Sequence, residues 1–527
     1  MFALKKDQKG QKGFAIIYVA LIGAFVLIPM AGLAIDFGVV YNVKARLQTA
    51  CDAAAIGAGY LLHATTDLGN STQYNTIINS AQQFFDANYG TTYMGSTITS
   101  YSAAATSSTS GKTITVNATA KVPMLFMRVL GIANSTVAAE AASNVRYIAM
   151  MIVVDRSGSI YSESATSLIT NSLTTFVATT SSSYLVNGVD TVGMVSFGGT
   201  WRLDFSPSTN FQSGQASTIG TAINNIPFCT AANGGATSST NTAEGLYQAW
   251  YQLYQMNLPG SLNVIVLLTD GRPSAFTGYF TPTTGTSTCT SKAQRAAVYE
   301  TYVGLGGSYP FWPPPTSSGS SCSPSCSTGL YQTTYSSIPE TSHLAAPSAN
   351  CYYAGSTSNM YEDFSPSSFP ASVGPVDNVS SGSGYPPGFG TPGTGISTLS
   401  GYYTVGSRSI QNPKMGRYAA FNVADNMATL IRQDTTLKPM LFVIGLSYSN
   451  NATEPLDSDW LARIANDPTY QTTGTDSDAM NGLGITPGHS VYQTGQTPGL
   501  YCLATNTTAS LNGCFQQVTN ALLRLTL

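Results

Sequence analysis

The sequence predicts an α/β protein: an N-terminal transmembrane helix with a small α+β segment, then a doubly wound, Rossmann-like domain with a large insertion. Three observations point there. Phe14 to Ile35 runs without a charge, behind a leader holding Lys5, Lys6, Lys9 and Lys12 against the single acid Asp7. From residue 147 onward, apolar strand-like runs alternate with amphipathic helical stretches. That alternation breaks over residues 273–410, which are crowded with Pro, Gly, Ser, Thr and Tyr. The expected organisation is therefore a basic leader (1–13), a span (14–35), a small α+β segment (36–146) and the α/β domain (147–527).

The apolar run holds about 22 residues, which as a helix would reach about 33 Å, the thickness of a bilayer core. Pro29 lies inside it, as membrane helices tolerate. The lysines ahead of the span place the N-terminus in the cytoplasm and the body outside it. Two other readings stay open. Gly32-Leu33-Ala34 could be a signal-peptide cleavage site, although the run exceeds the usual length. Gly13-Phe14 after a basic leader could be a prepilin cleavage site, with Tyr18 where a glutamate is usual. All three export the body.

Between 36 and 146 the pattern gives an Ala- and Leu-rich helix over 42–62, a second near 72–88, a strand at 114–122, a short helix at 124–130 ending at Gly131, and a further strand before 145. In the domain after 147, the expected strands are 148–155, 191–197, 201–205, 263–270, 439–446 and 501–504. Several are continuous apolar runs, as in strands buried on both faces of a parallel sheet. Inside the insertion, 291–304 reads as a helical island. Insertions of this size in compact domains tend to be functional or disordered, and the cysteines here favour a stapled one. The polar stretch 467–499 joins a helix to a strand and is expected at the membrane-proximal end.

Charged residues make up only 9% of the 527 and the net charge is −3. There is no basic field to hold nucleic acid. With 3 histidines and no CxxC pair of zinc-type spacing, a thiolate or imidazole metal site is not expected. Seven of the 8 cysteines fall after residue 200, in loop-like sequence that suits disulfides in an oxidising compartment. Cys502 and Cys514 bracket a short polar loop and are the first pair to expect; Cys51 best suits a buried free thiol. No Ser/His/Asp or Cys/His arrangement is visible, and Ser157 lacks a nucleophile elbow, so the sequence is not read as an enzyme.

The first strand of the domain ends in Asp155-Arg156-Ser157-Gly158-Ser159. A carboxylate and two hydroxyls are hard oxygen donors of the kind that Mg²⁺ and similar cations prefer. Gly158 gives the backbone freedom to turn both hydroxyls toward one point. Two more segments belong with it: Ser239-Thr240-Asn241-Thr242 opening a helix, and Thr269-Asp270-Gly271 ending an apolar strand. In a doubly wound sheet, loops at the carboxyl ends of strands share one face. The insertion leaves directly after Asp270-Gly271, so it is expected to border or cover that face.

Two resemblances follow from these motifs. The basic leader, the apolar span, AIDFG at 34–38, KARLQ at 44–48 and DAAA at 52–55 closely resemble the N-terminal segment of TadG/TadE-like proteins of the Tad (Flp) pilus assembly system. The three loops after 147 resemble those of von Willebrand factor A (vWA) domains, whose metal-ion-dependent adhesion site they supply. Carried over, the metal ligands are Asp155, Ser157, Ser159, Thr240 and Asp270, with Thr242 an alternative to Thr240. Thr240 is preferred because it precedes Asn241.

The resemblance implies Mg²⁺ (or Mn²⁺ or Ca²⁺), with a coordination position left for an acidic residue of a protein partner or surface ligand. It further implies a single-pass protein of the bacterial inner membrane, acting in pilus assembly or surface adhesion beside other pilin-like Tad proteins. The alternative is a structural envelope or pilus component whose metal site is closed and unused.

Overall fold

The computed structural model describes residues 9–23, 26, 28–178, 185–198, 201–212, 218–228, 240–273, 275–280, 294–299, 413–448, 456–473, 488 and 490–526. The chain divides into two compact units, one ending at Arg146 and the other running from Tyr147 to Thr526.

The first unit begins with α1 (Lys9–Ile22) and α2 (Ile28–Ala64). Among the described residues no helix is long and apolar enough to cross a membrane. The uncharged run expected as one helix over 14–35 is instead shared between α1 and the first turns of α2. Residues 24, 25 and 27 lie outside the described residues. From Asp36 onward α2 continues through charged sequence to Ala64, joining what the sequence pattern separates. Along both helices large apolar side chains, among them Ile16, Val19, Leu21, Met30, Ile35 and Phe37, are exposed.

The later part of α2 packs with α3 (Ser71–Tyr89) on an antiparallel sheet of β1 (Thr97–Ser107), β2 (Gly111–Pro123) and β3 (Asn134–Arg146). Small residues allow the close packing. Ala50, Cys51, Ala54, Ala55 and Ala58 of α2 are buried in one core with Ile114, Val116 and Ala118 of β2. Asn70 caps α3, its side chain accepting from the N–H groups of Thr72 and Gln73. Lys112 donates to Leu62 O at 3.3 Å and Thr65 O at 2.5 Å, satisfying carbonyls at the end of α2. Cys51 is buried and free. Its thiol pKa is pushed up to about 11, first by burial and then by neighbouring Asp52, so it stays protonated and inert.

The second unit is built on a six-stranded sheet. Its strands are β4 (Ile148–Asp155), β5 (Thr191–Phe197), β6 (Trp201–Ser208), β7 (Leu262–Thr269), β10 (Met440–Ser447) and β11 (Leu500–Thr505). Their order across the sheet is β11-β10-β7-β4-β5-β6. All neighbours pair in parallel except β6, which runs antiparallel to β5 at one edge. Every residue of β4 and of β7 is buried, which explains why both read as unbroken apolar runs.

Alternate residues of β4 face opposite cores. Ala149, Met151 and Val153 meet α7 (Thr242–Met256), α8 (Pro413–Arg432) and α9 (Ser458–Ala465) on one side. Met150, Ile152 and Val154 meet α4 (Gly158–Ser162), α5 (Thr166–Leu173), α6 (Ile219–Asn224) and α10 (Thr508–Thr526) on the other. The domain is doubly wound, as the alternation predicts.

Of the insertion, the described part is an antiparallel pair, β8 (Ala275–Phe280) with β9 (Gln294–Tyr299). The helical island expected over 291–304 is thus a strand where it is described. Pairing with β8 overrides the local helical preference of Gln294 to Ala297. The expectation that the insertion borders or covers the metal face falls otherwise outside the described residues, as do Cys229, Cys289, Cys322, Cys326 and Cys351. The stretch after 467 leads into the amino end of β11, opposite the end of the sheet that carries Asp155.

Cys502 and Cys514 form a disulfide that ties β11 to α10 across 12 residues of sequence. Closing a loop of that length stabilises a fold by about 2–3 kcal/mol. The double variant Cys502→Ser/Cys514→Ser is expected to lose that much in urea unfolding. A loss below about 0.5 kcal/mol would mean that the strand–helix packing holds this edge without the bridge.

Candidate functional site

The loops at the carboxyl ends of β4 and β7 meet, because these strands are neighbours in the sheet. Asp155 is the last residue of β4, and Asp270 directly follows β7. Asp155 Oδ1 accepts from the Ser157 N–H at 2.9 Å, bending the chain so that the hydroxyls turn inward. Ser157 and Ser159 share a hydrogen bond of 2.9 Å between their Oγ atoms, and Ser159 Oγ donates to Asp270 Oδ1 at 2.9 Å. The structure therefore brings Asp155, Ser157, Ser159 and Asp270 into one hydrogen-bonded set, and all but the partly buried Ser159 are buried.

Thr240 lies just before α7 and comes to the same place. A Cβ built on Gly271 would sit 3.5 Å from Thr240 Oγ1 and 3.9 Å from Ser159 Oγ. The Asn241 N–H donates to Gly198 O at 2.8 Å, tying this loop to the end of β5. Thr242 is already in the first turn of α7 and buried. Gly245, one turn further, allows the helix to lie against the sheet: a Cβ there would fall 2.6 Å from the buried Phe197 ring and 3.0 Å from Val153 Cγ1.

The electrostatics of the set are unfavourable without a counter-ion. Asp270 Oδ2 is buried and without a hydrogen-bond partner. Burial, and then the charge of Asp155, raise the Asp270 carboxyl well above its ordinary value; burial likewise raises Asp155. Among the described residues no group of three or more His, Cys, Asp and Glu side chains stands ready for a metal. The set is instead two carboxylates with hydroxyls, a donor chemistry that suits a small hard cation.

The cation between these motif residues, Arg156, offsets that charge only in part: its pull lowers the Asp155 carboxyl, but burial outweighs it. Its buried guanidinium is held elsewhere as well, Nη1 donating to Pro227 O at 3.2 Å. Burial pushes its pKa down to about 10, while Asp204 opposes the shift. Asp204 lies 3.5 Å from Arg202 Nε, and burial pushes its carboxyl up to about 6 from 3.8. An acid with a raised folded-state pKa stabilises the fold below its unfolded pKa, and that contribution is lost as pH rises through the folded value. Asp204 should thus withdraw up to roughly 3 kcal/mol between about pH 4 and pH 7. Urea unfolding in chelator should show wild type losing stability relative to Asp204→Asn over that window; a constant difference between the two would refute the assignment.

Two contributors carry no pattern that sequence reading singles out. Thr269 Oγ1 donates to Asp155 Oδ2 at 2.6 Å. Tyr448, following β10, has a buried hydroxyl whose pKa is raised by burial and then by the charges of Asp270 and Asp155. Both sit at carboxyl ends of strands, the positional signal that could have found them.

Two family models match the chain. Residues 149–306 match the von Willebrand factor type A domain. The chain carries a vWA domain. The match stops within the insertion, while the vWA sheet is completed by β10 and β11 beyond it. Residues 13–61 match the family described as putative Flp pilus-assembly TadE/G-like. No curated protein matches the chain.

Among solved structures, the pilus adhesin SpaC of Lactobacillus rhamnosus GG aligns at 11% identity over 80% of this chain and 33% of its own, with a TM-score of 0.31. This chain therefore spans about a third of that adhesin's length. The PilB minor pilin of Streptococcus sanguinis aligns at 12% identity over 82% and 79%, TM-score 0.30. The vWF domain of the type V pili tip protein Mfa5 from Porphyromonas gingivalis aligns at 13% over 73% and 98%, TM-score 0.32. At such scores these likenesses bear no weight on function.

Proposed function

We propose that this chain is a membrane-anchored, extracytoplasmic binding protein of Tad pilus assembly or surface adhesion. In this reading its vWA loops engage a protein partner or surface ligand through Mg²⁺, Mn²⁺ or Ca²⁺. The observation that carries it is the convergence of Asp155, Ser157, Ser159 and Asp270, with a buried, unpartnered oxygen on Asp270. The TadE/G-like match supports the pilus assignment. The uncharged run 14–35, with its exposed apolar side chains, supports a single span with the N-terminus in the cytoplasm.

Asp155 and Asp270 would supply the negative charge, and Ser157, Ser159 and Thr240 the neutral oxygens. Asp155 is kept from rotating by Thr269 and the Ser157 N–H. When bound, a divalent cation supplies an oxygen-seeking centre able to take a carboxylate from outside. With few anionic ligands of its own, the site gains most from a partner that brings one, which makes recognition metal-dependent. No residue arrangement here is assigned to catalysis.

The test is capture of partners from envelope extract on immobilised protein, in Mg²⁺ and in chelator, with Asp155→Ala beside wild type. A partner retained only in Mg²⁺ and only by wild type is expected. Equal capture in chelator would overturn the metal-dependent reading and favour a structural component with an unused site.

A further inference from the structure

The connection between β2 and β3, residues 124–133, has an unusual surface for the outside of a folded unit. Leu125, Val129, Leu130 and Ile132 are exposed, Val129 at 87%. Such a run of large apolar side chains on one short connection calls for a partner.

Its place in the fold says which. Phe126 lies against Gly32 of α2, so closely that a Cβ on Gly32 would fall 2.6 Å from the Phe126 ring. Gly32 belongs to the last turn of the uncharged run 14–35, so the connection stands level with the end of that run. There, Met30, Ile35 and Phe37 of α2 are also exposed, so apolar side chains stand out from both elements near the Gly32–Phe126 approach.

Much of the backbone of the connection is hydrogen-bonded within the unit. Asp36 accepts from the N–H groups of Leu125 (2.9 Å), Phe126 (3.0 Å) and Met127 (2.7 Å). Desolvation opposes its ionisation, but these N–H groups outweigh it and hold its carboxyl below the ordinary range. The N–H groups of Met124, Val129, Gly131 and Ile132 are taken by carbonyls of the same connection. Irregular backbone does not lie exposed within the hydrocarbon, so the connection belongs at the headgroup boundary, where only its apolar side chains reach the acyl region. Arg128, exposed on the same turn, has a stem long enough to bring its charge up to anionic headgroups.

We propose that the 124–132 connection is a second membrane contact, its apolar side chains set into the outer leaflet beside the anchor and braced there by Asp36. The proposal rests on the anchor reading above, and the experiment separates the two. Full-length protein carrying Val129→Trp, or Leu130→Trp as a second site, is reconstituted in phosphatidylcholine/phosphatidylglycerol vesicles, with or without bromine at acyl positions 6 and 7. The chain has 4 native tryptophans, so wild type supplies the background. Thr109→Trp is the control: Thr109 is exposed in the β1–β2 turn, at the other end of β2, a strand 13 residues long, or about 40 Å.

Brominated lipid should cut the emission of the indole at 129 or 130 at least twofold and leave the Thr109→Trp signal unchanged. Vesicles that float with the protein but do not quench either indole would overturn the second contact and leave the anchor standing. The surface would then face water or another protein. Protein that does not float with vesicles at all would overturn both readings.

Discussion

Asp155→Asn is expected to abolish the response of the vWA domain to divalent cations without loosening its fold. In wild type, Mg²⁺ at about a hundred times its dissociation constant should stabilise the domain by about 2.7 kcal/mol, or roughly 5–10 °C in melting temperature. Asn keeps the oxygen that accepts the Ser157 N–H, and its amide can donate to the Thr269 hydroxyl. What disappears is the charge. That charge is one cause of the raised Asp270 carboxyl, so in chelator the variant should melt no lower than wild type. Alanine would blur this result, because it also strands Thr269 and the Ser157 N–H at about 1–3 kcal/mol. Calorimetry with and without Mg²⁺ gives the answer. A full Mg²⁺ shift in Asp155→Asn would mean the cation binds elsewhere.

The loops behind this expectation are legible because a parallel sheet leaves little freedom. Once β4 and β7 read as unbroken apolar runs, their carboxyl ends have to share an edge, and Asp155 and Asp270 have to share it with them. Thr240 follows from its place before a helix. The hydroxyls of Thr269 and Tyr448 are not legible, since a threonine or tyrosine at a strand end has many uses and only the folded neighbourhood selects one. The same holds for Asp36. The AIDFG motif is visible in the sequence, but the N–H groups it serves lie about ninety residues on, in a turn whose approach no local pattern encodes. The strand β9 reads as helix for the complementary reason: its local residues favour helix, and the partner strand that overrules them is remote.

Trp250→Ala should be the most damaging single change to stability, and comparison with Trp250→Phe should divide its causes. Trp250 is fully buried on α7, stacked on Tyr254 at 5.5 Å between ring centroids, and its Nε1 donates to Asp434 Oδ2 at 3.0 Å. Truncation removes the ring from the core shared with Ala420, Phe421 and Ala424 of α8 and leaves a cavity, at a cost of about 3–5 kcal/mol. Phenylalanine refills most of the volume and gives up the hydrogen bond. Asp434 is only partly buried and can turn to water, so that loss should be about 1 kcal/mol. Urea unfolding that finds the two variants equal would place the stabilisation in the hydrogen bond rather than the ring.

The same pair of variants bears on the site, because α7 begins beside Thr240. The Asn241 N–H holds that end to Gly198 O, and the close seat of Gly245 on Phe197 and Val153 holds the turn that follows. Trp250 lies more than a turn beyond Gly245. Trp250→Phe should therefore keep the Mg²⁺ shift of wild type while melting lower. Loss of that shift would show that the position of Thr240 depends on the packing of the whole helix rather than on its pinned end.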